Sequence, residues 1–196
     1  MGQRDDLYKL EGMIEFNEAY VLISTPEEPQ KALKRGRGSQ KKRAVAVMAE
    51  STILESPETD EQEKHVRYFN MKMMQDYKAE GVDGLLQGSL VGKNIVFSDK
   101  STSYVNIADY VDVHISVVSD QQVAQNTLKW VHIAISNLKC NLLEVYHKIK
   151  GEFLQSYLNE FVTNSMEGTL GRESLIDLLL PLFMPTRTLT DKQKEE

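Results

Sequence analysis

From Gly12 to Ile23 the chain reads GMIEFNEAYVLI, with apolar and polar residues alternating in the first half before the run turns apolar. Alternation at period two places every second side chain on one face, so this run predicts a partly buried strand. RAVAVMAES (Arg43 to Ser51) and HVRYFNMKMM (His65 to Met74) have the same β character. Turn residues at Pro26-Glu27-Glu28-Pro29, Gly36 and Ser56-Pro57 separate the three runs. Val82 to Val91 reads as a short helix, Asn94 to Asp99 (NIVFSD) is a compact apolar run ending in a carboxylate, and Asp112 to Val118 is another strand. The period then changes. Between Asn126 and Ile149 the residues Leu128, Val131, Ile135, Leu138, Leu142 and Val145 recur at intervals of three and four, the core-facing seam of a long helix. A second helix follows at Glu152 to Met166, with Phe153, Leu154, Leu158 and Phe161 as its apolar face, and a third at Arg172 to Phe183. Three sequential β runs, a helix, a strand and then helices predict an α/β architecture with its antiparallel part at one edge.

The other side of the long helix is polar. Lys129, His132, Ser136 and Lys139 fill it. His132 and Lys139 are seven residues apart, so at roughly 100° per residue they stack on one side, two turns apart. A metal ligand or acid/base group followed by a phosphate-reading cation can be mounted this way. The polar face of an amphipathic helix is ordinarily just solvated, and spacing alone gives these residues no role.

Length and composition narrow the class. With 196 residues, 41% hydrophobic and 27% charged, the chain is long enough for one sizeable core, and a single domain over residues 1–196 is expected. The lone Cys140 cannot pair within the chain, which fits a reducing compartment, and no Cys/His cluster suggests structural zinc. The start MGQRDDLYKL has no apolar signal region, and the greasiest segment, Ser174 to Met184, is short and interrupted by Asp177 and Pro181. The expectation is a cytoplasmic protein with no membrane partner.

A formal net charge of −6 argues weakly against a dedicated nucleic-acid binder, but the average hides a segregation of charge. Seven of the thirteen residues in KALKRGRGSQKKR are basic and none is acidic: Lys31, Lys34, Arg35, Arg37, Lys41, Lys42 and Arg43. The following stretch from Glu50 to Glu63, read as a loop, carries Glu50, Glu55, Glu58, Asp60, Glu61 and Glu63. Gly36, Gly38 and Ser39 loosen the basic segment, and such a loop can track a phosphate backbone without reading bases. The alternative is a solvated loop whose charges merely prevent edge pairing.

EGMIEFNEAYV, KRGRGSQKKRAVAVMAES, NIVFSDKSTSYVNI, TLKWVHIAISNLK and VYHKIKGEFLQSYLNEFV, in this order, resemble the catalytic core of bacterial insertion-sequence transposases of the ISXO-like group. The resemblance covers roughly residues 10–162 and leaves 163–196 as a C-terminal helical tail. It implies a ribonuclease-H-like mixed sheet with packed helices, a carboxylate-based DDE-type site, DNA as partner, and Mg²⁺ or Mn²⁺ as cofactor in an active enzyme. In an intact site of this kind two metal ions would activate a water or 3′-hydroxyl for in-line attack on a DNA phosphodiester. By the same resemblance Asp99 matches the second aspartate, and Lys139 matches the lysine of the long helix. His132 falls where many members carry glutamate. Asn17 falls on the first aspartate.

The departures carry as much information as the match. Asparagine offers one neutral oxygen to a metal, whereas two-metal phosphoryl transfer relies on an anionic carboxylate that bridges both ions. Asn17, Asp99 and His132 together supply one negative charge where a full carboxylate set supplies three. Hard Mg²⁺ should bind such a set weakly, and imidazole favours softer metals. Glu18 points to the opposite strand face from Asn17, while Glu15 shares its face about 7 Å away along the strand and is the candidate substitute ligand. The resemblance also implies an upstream zinc-ribbon and end-recognition domain, which the sequence does not show before its first strand, so specific binding of transposon ends is not expected. After Phe161 an Arg-rich run is replaced by VTNSMEGTLGRESLIDLLLPLF, either a divergent helix or the tail of a truncated gene. The expected function is transposase-like DNA strand cleavage and transfer, impaired by Asn17; the alternative is a non-catalytic DNA- or protein-binding remnant. A second copy of the chain is a further candidate partner, and no small-molecule substrate is expected.

Overall fold

The computed structural model describes residues 8–24, 39, 41–55, 62–74, 79–101, 104–117, 126–145 and 149–165. Its centre is β1, Leu10–Leu22, flanked by β2, Lys42–Glu55, and followed by β3, Gln62–Met73. A helix, α1, spans Ala79–Ser89 and hands directly to β4, Leu90–Asp99; β5 is Val113–Val117. Then come α2, Lys129–Val145, and α3, residues 154–165. The strands lie in the order β3-β2-β1-β4-β5, antiparallel among the first three and parallel from β1 through β5. This mixed sheet with an antiparallel edge is the ribonuclease-H-like α/β arrangement that the sequence led us to expect.

β1 is covered on both faces, and the alternation of its side chains tells which helix lies where. Glu15 reaches the backbone of α2, while its neighbour Phe16 meets Tyr104 edge-on at 5.0 Å between ring centroids. Therefore α2 packs on the face of Glu15 and Asn17. The segment 104–110 covers the face of Phe16 and Glu18, tied to α1 by a 3.0 Å bond from the Asn106 amide to the Asp83 carboxylate. Of the predicted seam Leu128, Val131, Leu138 and Leu142 are buried, joined by Ala134, while Ile135 is partly buried against the core and the side chain of Val145 lies outside those described.

In α3 the buried residues are Leu154, Leu158 and Val162. Phe153, expected on that face, is 51% exposed, because it lies in the short 3-10 turn Gly151–Phe153 before the helix starts. Gln155 closes the outer rim of β3: its side-chain oxygen accepts the Met73 N–H at 2.8 Å and its amide donates to the Met71 carbonyl at 2.9 Å. One side chain thus satisfies two backbone groups that an edge strand leaves open.

Two sequence expectations need correction. The acidic stretch Glu50–Glu63 is not one loop: β2 continues to Glu55 and β3 begins at Gln62. Glu50 is 2% exposed, tolerable because its carboxylate accepts the Tyr8 hydroxyl and the Glu11 N–H at 3.0 Å and faces Arg67. The predicted helix end at Val91 overshoots, because Leu90 is already drawn into the sheet opposite Leu10. The helix expected at Arg172 to Phe183 lies outside the described residues, as does nearly all of the tail 163–196.

A bulge precedes the site. Leu10 faces Leu90, but Gly12 faces Asn94, so β4 carries two more residues than β1 over this interval. Gly92, at φ +68°, takes the left-handed turn this requires, and a side chain there would run into the Glu11 carboxylate. The Asn94 amide donates to the carbonyls of both Val91 and Gly92 at 3.1 Å, stapling the bulge. Among the described residues no helix is long and apolar enough to cross a membrane.

Candidate active site

After the bulge the parallel pairing runs unbroken to Phe16 opposite Ser98. One residue further on each strand come Asn17 and Asp99, whose side chains share the α2 face by alternation. His132 sits half-buried in the first turn of α2, above that position. The Asn17 amide nitrogen lies 3.5 Å from His132 Nε2, a long hydrogen bond in which the amide donates and the ring, protonated on Nδ1, accepts. The Asn17 carbonyl oxygen is turned the other way and accepts the Glu18 N–H at 2.7 Å. The fold therefore brings Asn17 against His132, with Asp99 on the neighbouring strand.

Lys139 is exposed two turns further along α2, roughly 10 Å from His132 along the axis. Glu15, the candidate substitute ligand, is completely buried on the Asn17 face, and its carboxylate is committed elsewhere. One oxygen lies 2.6 Å from Lys64 Nζ and the other accepts the Val131 N–H at 2.9 Å. Glu18 lies on the opposite face, where the Tyr20 hydroxyl reaches it at 3.4 Å.

Four residues around the site escaped the sequence reading: Ser98, His114, Tyr104 and Lys64. The Ser98 hydroxyl donates to the Asp99 carbonyl at 3.0 Å and sits 2.8 Å from His114 Nε2, on the face away from α2. Burial holds the His114 imidazole below its usual pKa. Burial also pushes the Tyr104 phenol up, helped by the negative charges of Glu18 and Asp99. The one available signal for Ser98 was its place directly before Asp99; His114 is paired to it only through the register of β4 with β5.

The donor chemistry does not fit a two-metal carboxylate site. Of Asn17, His132 and Asp99 only Asp99 is anionic, and the atom Asn17 turns toward His132 is a nitrogen that cannot ligate. Among the described residues no cluster of three His, Cys, Asp or Glu side chains could hold a metal. Of the basic segment, Lys31, Lys34, Arg35 and Arg37 lie outside the described residues. Lys41 is exposed in the turn before β2, and Lys42 and Arg43 open that strand opposite Leu22 and Val21.

The family model of the ISXO2-like transposase domain matches residues 9–162. No curated protein and no solved structure matches the chain.

Proposed function

The chain belongs to the ISXO2-like transposase family, and we propose that it is a transposase core for DNA strand cleavage and transfer whose catalysis is impaired by asparagine at position 17. The observation that carries this reading is the Asn17–His132 contact. A first-position aspartate would present two anionic oxygens toward the helix; Asn17 presents an N–H there and gives its only oxygen to the Glu18 backbone. Asp99 is then the remaining anionic site residue, with His132 beside Asn17 and Lys139 a phosphate-reading cation further along the helix. The partner is DNA, met in the cytoplasm, and the divalent ion that such chemistry uses would be held poorly by this set.

A second reading is a non-catalytic DNA-binding module, favoured by the exposed Lys41 and Arg43 at the mouth of the β1–β2 hairpin. One assay separates the two: nicking of pre-cut transposon-like ends in Mn²⁺ by the native chain and by Asn17→Asp. We expect little or no cleavage by the native chain. Robust metal-dependent cleavage by it would overturn the impaired-site reading.

A further inference from the structure

Glu15 is the one fully buried carboxylate on the central strand, two residues before Asn17, and a charge in such a place is costly unless it and its lone pairs are met. They are met by groups that converge on one point, the N-terminus of α2. Val131 N–H, one of the donors that a first helical turn leaves without an internal partner, donates to one oxygen at 2.9 Å. The positive end of the helix dipole faces the same carboxylate. Lys64, from β3, stands at the other oxygen and extends the clamp, its ammonium donating to the Thr127 carbonyl at 3.1 Å while its own carbonyl accepts the Trp130 indole N–H at 3.0 Å.

Residues 127, 130 and 131 are thus tied to β1 and β3 within about one helical turn, and the next residue is His132. We propose that Glu15 is a positioning residue: with Lys64 it caps α2 from the sheet and fixes the height and rotation at which His132 meets Asn17. This rests on the reading of Asn17, Asp99 and His132 as the site, and it removes Glu15 from the ligand set. A carboxylate that left Val131 and Lys64 to reach an ion beside Asn17 would strand a helix N–H and a half-buried ammonium. The first turn of α2 carries no acidic residue of its own, and the anchor supplies a carboxylate there from another element.

The test uses the full chain with ¹⁵N-labelled histidine, the His132 signal assigned by its loss in His132→Asn. In the native protein His132 should show the Nδ1–H tautomer that acceptance from Asn17 imposes, and Asn17→Ala should release it to the mixture of a solvated imidazole. Glu15→Gln should release it too, and Lys64→Met, at a partly exposed position and therefore milder, should shift it in the same direction. Leu158→Ala, a buried change in α3 away from the anchor, should lower the melting temperature yet leave the His132 signal as in the native chain. If Glu15→Gln and Lys64→Met lower stability but keep the native tautomer, Glu15 is merely structural and the proposal fails. Failure of the site reading shows elsewhere: Asn17→Asp would then gain no Mn²⁺ affinity, whatever Glu15 does to the His132 signal.

Discussion

Asn17 and His132 face each other nitrogen to nitrogen at 3.5 Å, across the gap between a central strand and the first turn of a helix. Replacing Asn17 by aspartate turns that contact into a carboxylate facing an imidazole and raises the charge of the set from −1 to −2. Two unit charges about 4 Å apart attract by roughly 1 kcal/mol in water and about 4 kcal/mol at a surface-like effective dielectric, and a divalent ion doubles this. Mn²⁺ affinity should therefore rise by about tenfold or more, and Mg²⁺ affinity by less, because His132 is a poor partner for the harder ion. Calorimetric titration of both forms with each ion decides it; equal affinities for Mn²⁺ would mean that position 17 is not part of an ion site.

Leu138 and Lys139 are neighbours in sequence and opposites in environment: Leu138 has no exposed surface, and Lys139 is exposed. Leu138→Ala should cost about 2–5 kcal/mol, since it removes buried apolar surface and leaves a cavity behind. Lys139→Ala should change stability by less than about 0.5 kcal/mol. Chemical denaturation of the two variants checks the assignment of helix faces, which is wrong if the two shifts are alike.

The His114 imidazole is held below its usual pKa of 6.5 by burial against Ser98. The unfolded chain therefore takes up that proton at higher pH than the folded one. Well above 6.5 neither state is protonated there and the group does not affect stability. As pH falls below that value the unfolded state is favoured, and the destabilisation grows until the pH passes the folded-state pKa. Melting temperatures measured across this window should fall, and His114→Gln should flatten the part of the slope due to this residue.

Gln155 holds two backbone groups of β3 with a single amide. Gln155→Ala should destabilise by about 1–3 kcal/mol, the cost of leaving partly buried backbone groups without protein partners. Amide exchange at Met73 should quicken more than at Val47 on the inner strand. Unchanged exchange at Met73 would show that water serves that rim equally well.

The basic segment predicts weak, sequence-independent binding to duplex DNA that falls steeply with salt, as release of counterions requires. Changing Lys34, Arg35 and Arg37 to Ser should weaken it and lower the salt slope by roughly one unit for each phosphate that is no longer neutralised. Titration of a labelled duplex at several salt concentrations reads both quantities; identical curves for the two proteins would remove the loop from the interface.

The three antiparallel strands were legible because alternation at period two survives in single sequence, and the α2 seam was legible because its apolar spacing is regular. Glu50 misled for a physical reason. A glutamate amid other acidic residues reads as solvated loop, and only partners far along the chain, Tyr8 and Arg67, make its burial tolerable. Glu15 hid its role in the same way, since Lys64 and Val131 carry no mark that they converge on it. The Asn17–His132 contact joins residues 115 apart, and no local pattern contains it. It was reachable only through the family resemblance, which aligned the two positions without saying which atoms would meet.

The bulge stapled by Asn94 acts as a spacer of even length. Had the pairing of Leu10 with Leu90 simply run on, Asn17 would lie level with Phe97, and Asp99 would stand about 7 Å further along, beside Ala19. Two additional residues slide β4 back until Asp99 draws level with Asn17, and because two is even, no side chain changes face. Length changes at Val91–Lys93 should therefore obey a parity rule. Removing one residue would turn Asp99 toward Tyr104, whereas removing two would keep it facing α2 but leave it out of reach of His132.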